Sequence, residues 1–115
     1  MVEDNNLNKQ VTAAMLRRLG HDHDHAANGQ EALDRLAERA YDLVLMDCHM
    51  PVMDGYEASR QIRRLAGPAS RVRIFALTAG ATDAERQRCL DAGMDEVLSK
   101  PILFEVLARR LTALG

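Results

Sequence analysis

The sequence predicts an α/β fold with a parallel β-sheet and helices on both of its faces. Strand-like apolar runs and helix-periodic segments alternate five times, joined by connections of only a few residues. One run, Leu43-Val44-Leu45-Met46, is apolar at every position, which is typical of a strand buried on both faces at the centre of a parallel sheet. With 115 residues and 47% hydrophobic content, the chain can enclose one core, so we predict a single domain over residues 1–115.

The first half of the chain contains two predicted helices and the central strand. A helix over residues 7–19 ends at Gly20, and its apolar stripe consists of Leu7, Val11, Met15 and Leu19, with Ala14 and Leu16 alongside. Residues 21–27 lie where a short strand is needed, but their polar side chains make them the least strand-like segment. A turn at residues 28–29 precedes a second helix over 30–39, whose apolar positions are Ala32, Leu33, Leu36, Ala37 and Ala40. The central strand spans about Asp42 to Asp47.

The second half continues the alternation. A helix over residues 56–65 has Ala58, Ile62 and Leu65 inward, and Gly67-Pro68 ends it. A strand over 72–77 follows, and Thr82-Asp83-Ala84-Glu85 predicts a capping box at the start of the next helix, which runs to about Ala92. A short strand over 96–99 and a helix over 103–114 complete the chain.

Composition and charge argue against several classes of function. The net charge of −2, with both signs interspersed, favours neither nucleic acid nor an anionic membrane as a partner. The longest apolar run is far shorter than the roughly 20 residues that span a bilayer, and no leader pattern opens the chain. We therefore expect a cytoplasmic domain without membrane contact. Cys48 and Cys89 lack metal-type spacing and lie in segments of different kinds, which favours reduced thiols.

Five polar residues fall at the carboxyl ends of predicted strands: Glu3, Asp4, Asp47, Thr78 and Lys100. In one parallel sheet these ends share an edge, so the five side chains can converge. Clustered carboxylates repel one another unless they hold a hard cation, and Mg²⁺ prefers oxygen ligands. A carboxylate can also attack phosphorus, while an ammonium and a hydroxyl stabilise the phosphoryl oxygens. The pattern predicts Mg²⁺-dependent phosphoryl transfer.

The same residues resemble the ordered motifs of the two-component response-regulator receiver family. The similarity covers essentially the whole chain, and its motifs are Glu3-Asp4-Asn5, Met46-Asp47 with Met50-Pro51-Val52-Met53-Asp54-Gly55, Ala76-Leu77-Thr78-Ala79, Ala92-Gly93-Met94-Asp95 and Leu98-Ser99-Lys100-Pro101. The sequences of residues 47–64 and 89–102 are most similar to those of receiver domains in hybrid sensor histidine kinases.

This resemblance implies a flavodoxin-like, doubly wound sheet of five parallel strands in the order 2-1-3-4-5, flanked by five helices. It implies that Asp47 is the phosphoacceptor and that Thr78 and Lys100 contact the phosphoryl group. Mg²⁺ or Mn²⁺ is then bound by Asp4, Asp47 and the backbone carbonyl of His49, with Glu3 acting through water. The implied partners are a histidine kinase or a histidine phosphotransfer domain, and a membrane-anchored parent kinase is compatible with a cytoplasmic receiver.

Three features depart from the family pattern. Only Met1-Val2 precede Glu3, so the first strand is truncated. We expect either a longer parent chain or a strand supplied by another segment or another molecule, as in a dimer or strand-swapped oligomer. Val97 stands where the family commonly has an aromatic switch residue. His21, His23 and His25 replace a more apolar strand, and either a solvated segment or a Zn²⁺ or Ni²⁺ site explains them.

Three functions are considered for this sequence. The leading prediction is a phosphorylation-controlled signalling domain of a phosphorelay, within a hybrid kinase or as a stand-alone response regulator. Such a domain catalyses its own phosphorylation and dephosphorylation without being a turnover enzyme by itself. A hydrolase of the haloacid-dehalogenase kind needs a second Asp two residues after the nucleophile, where this chain has His49. A pseudo-receiver used only for protein interaction is the third alternative.

Overall fold

The computed structural model describes residues 1–2, 6–21, 23–48, 53–65, 67–80, 82–100 and 103–114. Within these residues the helices are α1 (Asn6–Arg18), α2 (Gly29–Glu38), α3 (Gly55–Arg63), α4 (Asp83–Asp91) and α5 (Phe104–Leu114), with a short 3-10 helix over Gly67–Arg71. The strands are β1 (Leu43–Asp47), β2 (Arg73–Thr78) and β3 (Glu96–Ser99). The predicted alternation of strands and helices is confirmed from β1 to α5, whereas the described residues before α1 and between α1 and α2 contain only single bridging residues.

The three strands form one parallel sheet in the order β1-β2-β3. Asp47 pairs in register with Leu77, and Thr78 pairs with Ser99. Because every strand runs in the same direction, Asp47, Thr78 and the residue after Ser99 all reach the same edge of the sheet. This arrangement sets the position of the candidate site.

Val2 takes the place of the truncated first strand. It forms isolated parallel bridges with both Ala26 and Met46. Its N–H donates to the Leu45 carbonyl at 2.8 Å, and its carbonyl accepts from the Asp47 N–H at 3.1 Å. In the described part of the chain, the spatial order is therefore Ala26, Val2, β1, β2 and β3. This matches the predicted order 2-1-3-4-5, with the first two strands reduced to single bridging residues.

The core lies on both faces of the sheet. Val44 and Met46 of β1 pack into one apolar cluster, while Leu45 between them packs into the other with Phe75 and Leu77. All of these side chains are buried. The all-apolar run therefore does form a strand that is buried on both faces, as predicted.

Two of the helices present different faces from those predicted. Over residues 10–18 of α1 the buried side chains are Thr12, Ala13 and Leu16, so the predicted stripe is confirmed at Leu16. It is wrong at Val11, which is 44% exposed, and at Ala14, which is also exposed. In α2 the inward positions Ala32, Leu33 and Leu36 are confirmed, but Ala37 and Ala40 are exposed. The apolar periodicity located each helix but not the angle at which it meets the sheet.

The histidine-rich segment is not a strand in the described residues, apart from the bridge at Ala26. His21 is exposed and His23 and His25 are partly exposed. No group of three or more His, Cys, Asp or Glu side chains in the described residues is placed to hold a metal ion. None of the described helices has the length and apolar character needed to cross a bilayer.

Candidate phosphoryl-acceptor site

Asp47 and Lys100 form a direct ion pair at the carboxyl edge of the sheet. Asp47 is the last residue of β1, and its side chain is 3% exposed. Lys100 follows β3, and its Nζ lies 2.8 Å from Asp47 Oδ2. The Lys100 N–H donates to the Thr78 carbonyl at 2.7 Å, which holds the base of the lysine beside β2. A buried carboxylate with an ammonium in contact is an arrangement that stabilises negative charge at this point.

Thr78 lies at the same edge, as the last residue of β2 between the other two strands. It is 2% exposed. Because Leu77 is in register with Asp47, Thr78 lies one residue farther toward the carboxyl side. The sequence prediction that strand ends would bring Asp47, Thr78 and Lys100 to one edge therefore agrees with the structure.

The remaining predicted site residues, Glu3, Asp4 and His49, lie outside the described residues. The position of Val2 still bears on whether these residues fit a divalent cation. The carbonyl of Val2 accepts a hydrogen bond from the Asp47 N–H, and Glu3 and Asp4 are the next two residues in the sequence. Carboxylates such as these three are the hard oxygen donors that Mg²⁺ prefers.

The backbone of Gly55 closely approaches the backbone of Asp47 and Cys48. The Gly55 N–H donates to the Cys48 carbonyl at 3.1 Å, which joins the start of α3 to the end of β1. A Cβ atom at Gly55 would lie 2.3 Å from the Asp47 carbonyl oxygen. Only glycine allows α3 to begin this close to the Asp47 backbone.

Two residues that sequence reasoning did not assign to the site lie beside Thr78. The Thr78 hydroxyl donates to Glu85 Oε1 at 3.1 Å, and the Tyr56 hydroxyl donates to the same oxygen. Burial, together with the hydrogen bond to Glu85, raises the pKa of Tyr56 above its ordinary value. The predicted capping box is confirmed for Thr82, whose Oγ1 accepts from the Glu85 N–H at 3.2 Å. The Glu85 carboxylate itself points toward Thr78 and Tyr56.

Cys48 and Cys89 are both free and fully buried, with their sulfur atoms 3.8 Å apart. Burial, and then the neighbouring Cys89 thiol, raises the pKa of Cys48 to about 12. Burial also raises the pKa of Cys89. The thiol beside Asp47 is therefore held in its protonated, unreactive form. The free cysteines agree with the expectation of reduced thiols.

Residues 1–112 of the chain match the family described as the response regulator receiver domain. The chain belongs to this family. The receiver is 40% identical to hybrid signal transduction histidine kinase A of Dictyostelium discoideum, over an alignment that covers 100% of this chain and 6% of that protein. The receiver thus spans a small part of the length of the curated relative that it matches.

Solved structures of receivers are also similar to this one. The receiver domain of sensor histidine kinase PA1611 from Pseudomonas aeruginosa PAO1 has a TM-score of 0.90 and 44% identity, with coverage of 98% of this chain and 92% of that one. Its structure has a magnesium ion coordinated in the active site cleft. The receiver domain of Saccharomyces cerevisiae Ssk1, solved with the histidine phosphotransfer protein Ypd1, has a TM-score of 0.90 and 31% identity, covering 99% of this chain and 85% of that one. The flavodoxin-like receiver fold is thereby confirmed.

Proposed function

We propose that this receiver accepts a phosphoryl group on Asp47 from the phosphohistidine of a histidine kinase or a histidine phosphotransfer domain. The observation that carries the proposal is the contact between Lys100 and the buried Asp47 carboxylate, with Thr78 at the same sheet edge. An acceptor carboxylate, an ammonium and a hydroxyl are the groups that phosphoryl transfer requires for attack and for charge stabilisation. Their retention disfavours the pseudo-receiver alternative.

Each of these side chains has a distinct part in the proposed reaction. An Asp47 carboxylate oxygen forms a bond to phosphorus while the phosphorus–nitrogen bond of phosphohistidine breaks, and the departing imidazole takes up a proton. The Lys100 ammonium, which contacts Asp47 before the reaction, then binds a negatively charged phosphoryl oxygen. The Thr78 hydroxyl donates a hydrogen bond to another phosphoryl oxygen. The aspartyl phosphate is later lost to water or passed to a histidine of a phosphotransfer domain.

Residues around Asp47 are also proposed to hold a divalent cation. Asp47, Asp4 and the backbone carbonyl of His49 would bind Mg²⁺ or Mn²⁺ directly, and Glu3 would act through water. When bound, the cation neutralises the clustered carboxylates and the phosphoryl oxygens. Support comes from the hydrogen bond between Asp47 and Val2, the residue that precedes Glu3 and Asp4 in the sequence, and from the magnesium-bound relative.

We further propose that the receiver, residues 1–115, belongs to a hybrid sensor histidine kinase and works on the cytoplasmic side of the cell. Support comes from the relative in Dictyostelium, a hybrid kinase, and from the sensor kinase receiver of Pseudomonas. The Ssk1 receiver in complex with Ypd1 supports a histidine phosphotransfer domain as one partner. A stand-alone response regulator is the alternative, and the proposed dimer or strand-swapped oligomer stays a prediction.

Intact-mass measurement after incubation with acetyl phosphate and Mg²⁺ tests the proposal. Wild type should gain one phosphoryl group, and Asp47→Asn should gain none. Lys100→Met should reduce the phosphorylated fraction about tenfold or more, because the ammonium that stabilises the transferring group is removed. Arg73→Met is the matched control, since it removes an exposed positive charge at the opposite end of β2. The absence of an adduct on wild type, or an undiminished adduct on Asp47→Asn, contradicts the proposal.

A further inference from the structure

A hydrogen-bonded chain of three side chains connects Thr78 to two helices. Thr78 Oγ1 lies 3.1 Å from Glu85 Oε1 in the first turns of α4, and the Tyr56 hydroxyl at the start of α3 donates to the same oxygen. Thr78 Oγ1 is 3.4 Å from the Gly80 N–H nitrogen and 3.5 Å from the Gly80 carbonyl, so its contact with Glu85 is the shortest of the three. The threonine hydroxyl is thus held by α4.

This contact competes directly with the proposed reaction. A threonine hydroxyl has one proton to donate, so it cannot donate to Glu85 and to a phosphoryl oxygen on Asp47 at the same time. A hydrogen bond to a carboxylate is also stronger than one to a neutral acceptor. The phosphoryl group must therefore displace this existing hydrogen bond before Thr78 can contribute.

The Glu85 carboxylate is in turn fixed by Tyr56, which is 1% exposed. Tyr56 follows Gly55, whose N–H is bonded to the Cys48 carbonyl beside Asp47. The Arg88 guanidinium lies 4.0 Å from the centre of the Tyr56 ring and covers it. Through Tyr56 and Gly55, Glu85 is therefore connected to the backbone next to Asp47.

We propose that Glu85 is a positioning residue that holds the Thr78 hydroxyl on α4 until Asp47 is phosphorylated. The inference rests on the proposed function. An aspartyl phosphate brings about −1.5 to −2 charge beside Thr78, which attracts the hydroxyl and repels the Glu85 carboxylate. The exchange releases Glu85 and so couples phosphorylation to the first turn of α4. Val97 of β3 is buried and aliphatic, so its side chain has no hydroxyl that could form a hydrogen bond in response to phosphorylation.

Beryllofluoride with Mg²⁺, a mimic of the phosphoryl group, is the probe for this inference. Glu85→Ala should bind it about tenfold more tightly than wild type, because Thr78 no longer has to leave a charged partner. Glu85→Gln keeps an oxygen acceptor without the charge, so its affinity should rise only about threefold. Asp83→Asn is the matched control: it removes an exposed charge from the same helix turn, and its affinity should stay within about twofold of wild type.

The NMR signal of the Thr78 methyl group in the free proteins gives a second readout, which loss of helix stability alone would not move. In free Glu85→Ala the signal should shift toward its position in beryllofluoride-bound wild type, and in Glu85→Gln it should shift part of the way. An unchanged affinity of Glu85→Ala overturns the inference. Equal gains for the alanine and glutamine variants also overturn it, since simple charge repulsion then explains both. Failure of wild type to bind beryllofluoride at all is a different result, which overturns the proposed function itself.

Discussion

Substitution of Gly55 by alanine should destabilise the protein through a clash with the backbone of Asp47. The added Cβ would lie 2.3 Å from the Asp47 carbonyl oxygen, 2.9 Å from the Cys48 Cα and 3.0 Å from the Asp47 carbonyl carbon. All three atoms belong to the backbone of buried residues, so relief requires α3 to move away from β1. Overpacking of this kind typically costs about 1–3 kcal/mol, and alanine recovers less than about 1 kcal/mol through helix propensity.

We therefore expect Gly55→Ala to lower the free energy of unfolding by about 2 kcal/mol. Urea unfolding followed by circular dichroism at the helical signal measures it. Gly80→Ala is the matched control, because a Cβ there meets no atom within 4 Å and its stability should be unchanged or slightly higher. A Gly55→Ala variant whose stability lies within about 0.5 kcal/mol of wild type would refute the packing argument, since ordinary surface substitutions have effects of that size.

Three further predictions concern other parts of the molecule. Arg63→Ala should lower the free energy of unfolding by about 3 kcal/mol, as measured by urea titration. The Arg63 guanidinium donates to the carbonyls of Ser70, Val72 and Gly93 and to the Asp95 carboxylate, and the substitution removes all of these bonds. Arg64→Ala, at an exposed neighbour, should have little effect. Cys48 and Cys89 should resist a thiol reagent at pH 8 in the native protein and should react with it in urea, because both are buried and the pKa of Cys48 is raised to about 12. Mass measurement detects the labelling. Labelling of the native protein would contradict this prediction. In the isolated 115-residue chain, burial lowers the pKa of the Met1 ammonium from 8.0 to about 6, so the unfolded chain binds the proton more readily between these values. The free energy of unfolding should therefore rise by about 2 kcal/mol from pH 6 to pH 8, relative to the same chain after N-acetylation. Identical pH profiles for the two forms would refute this.

The parts of the fold that could be predicted from sequence are those set by local pattern. The continuous apolar run at residues 43–46 predicted a strand buried on both faces, and strand polarity then placed Asp47, Thr78 and Lys100 at one edge. The rotation of α1 could not be predicted in the same way. Val11 is as apolar as its buried neighbours, and only the docking of α1 on the sheet leaves it exposed while burying Thr12.

The contacts between distant elements were not predictable from spacing. Tyr56 and Glu85 are 29 residues apart, and no motif links them. The local pattern assigned Glu85 to a capping box, and its N–H does bond to Thr82, but its carboxylate accepts from Thr78 and Tyr56. Cys48 and Cys89, 41 residues apart, likewise become neighbours only because α4 packs over the end of β1. Tertiary packing decides such contacts, and sequence periodicity does not report it.

Locating the modification shows whether Asp47 is the residue that receives the phosphoryl group. The protein is phosphorylated with acetyl phosphate and Mg²⁺, reduced with borohydride, which converts an aspartyl phosphate to homoserine, and digested for peptide mass analysis. We expect homoserine at position 47 and at no other carboxylate. Homoserine at Asp54 or elsewhere with Asp47 unchanged, or no conversion in a folded protein, would contradict it.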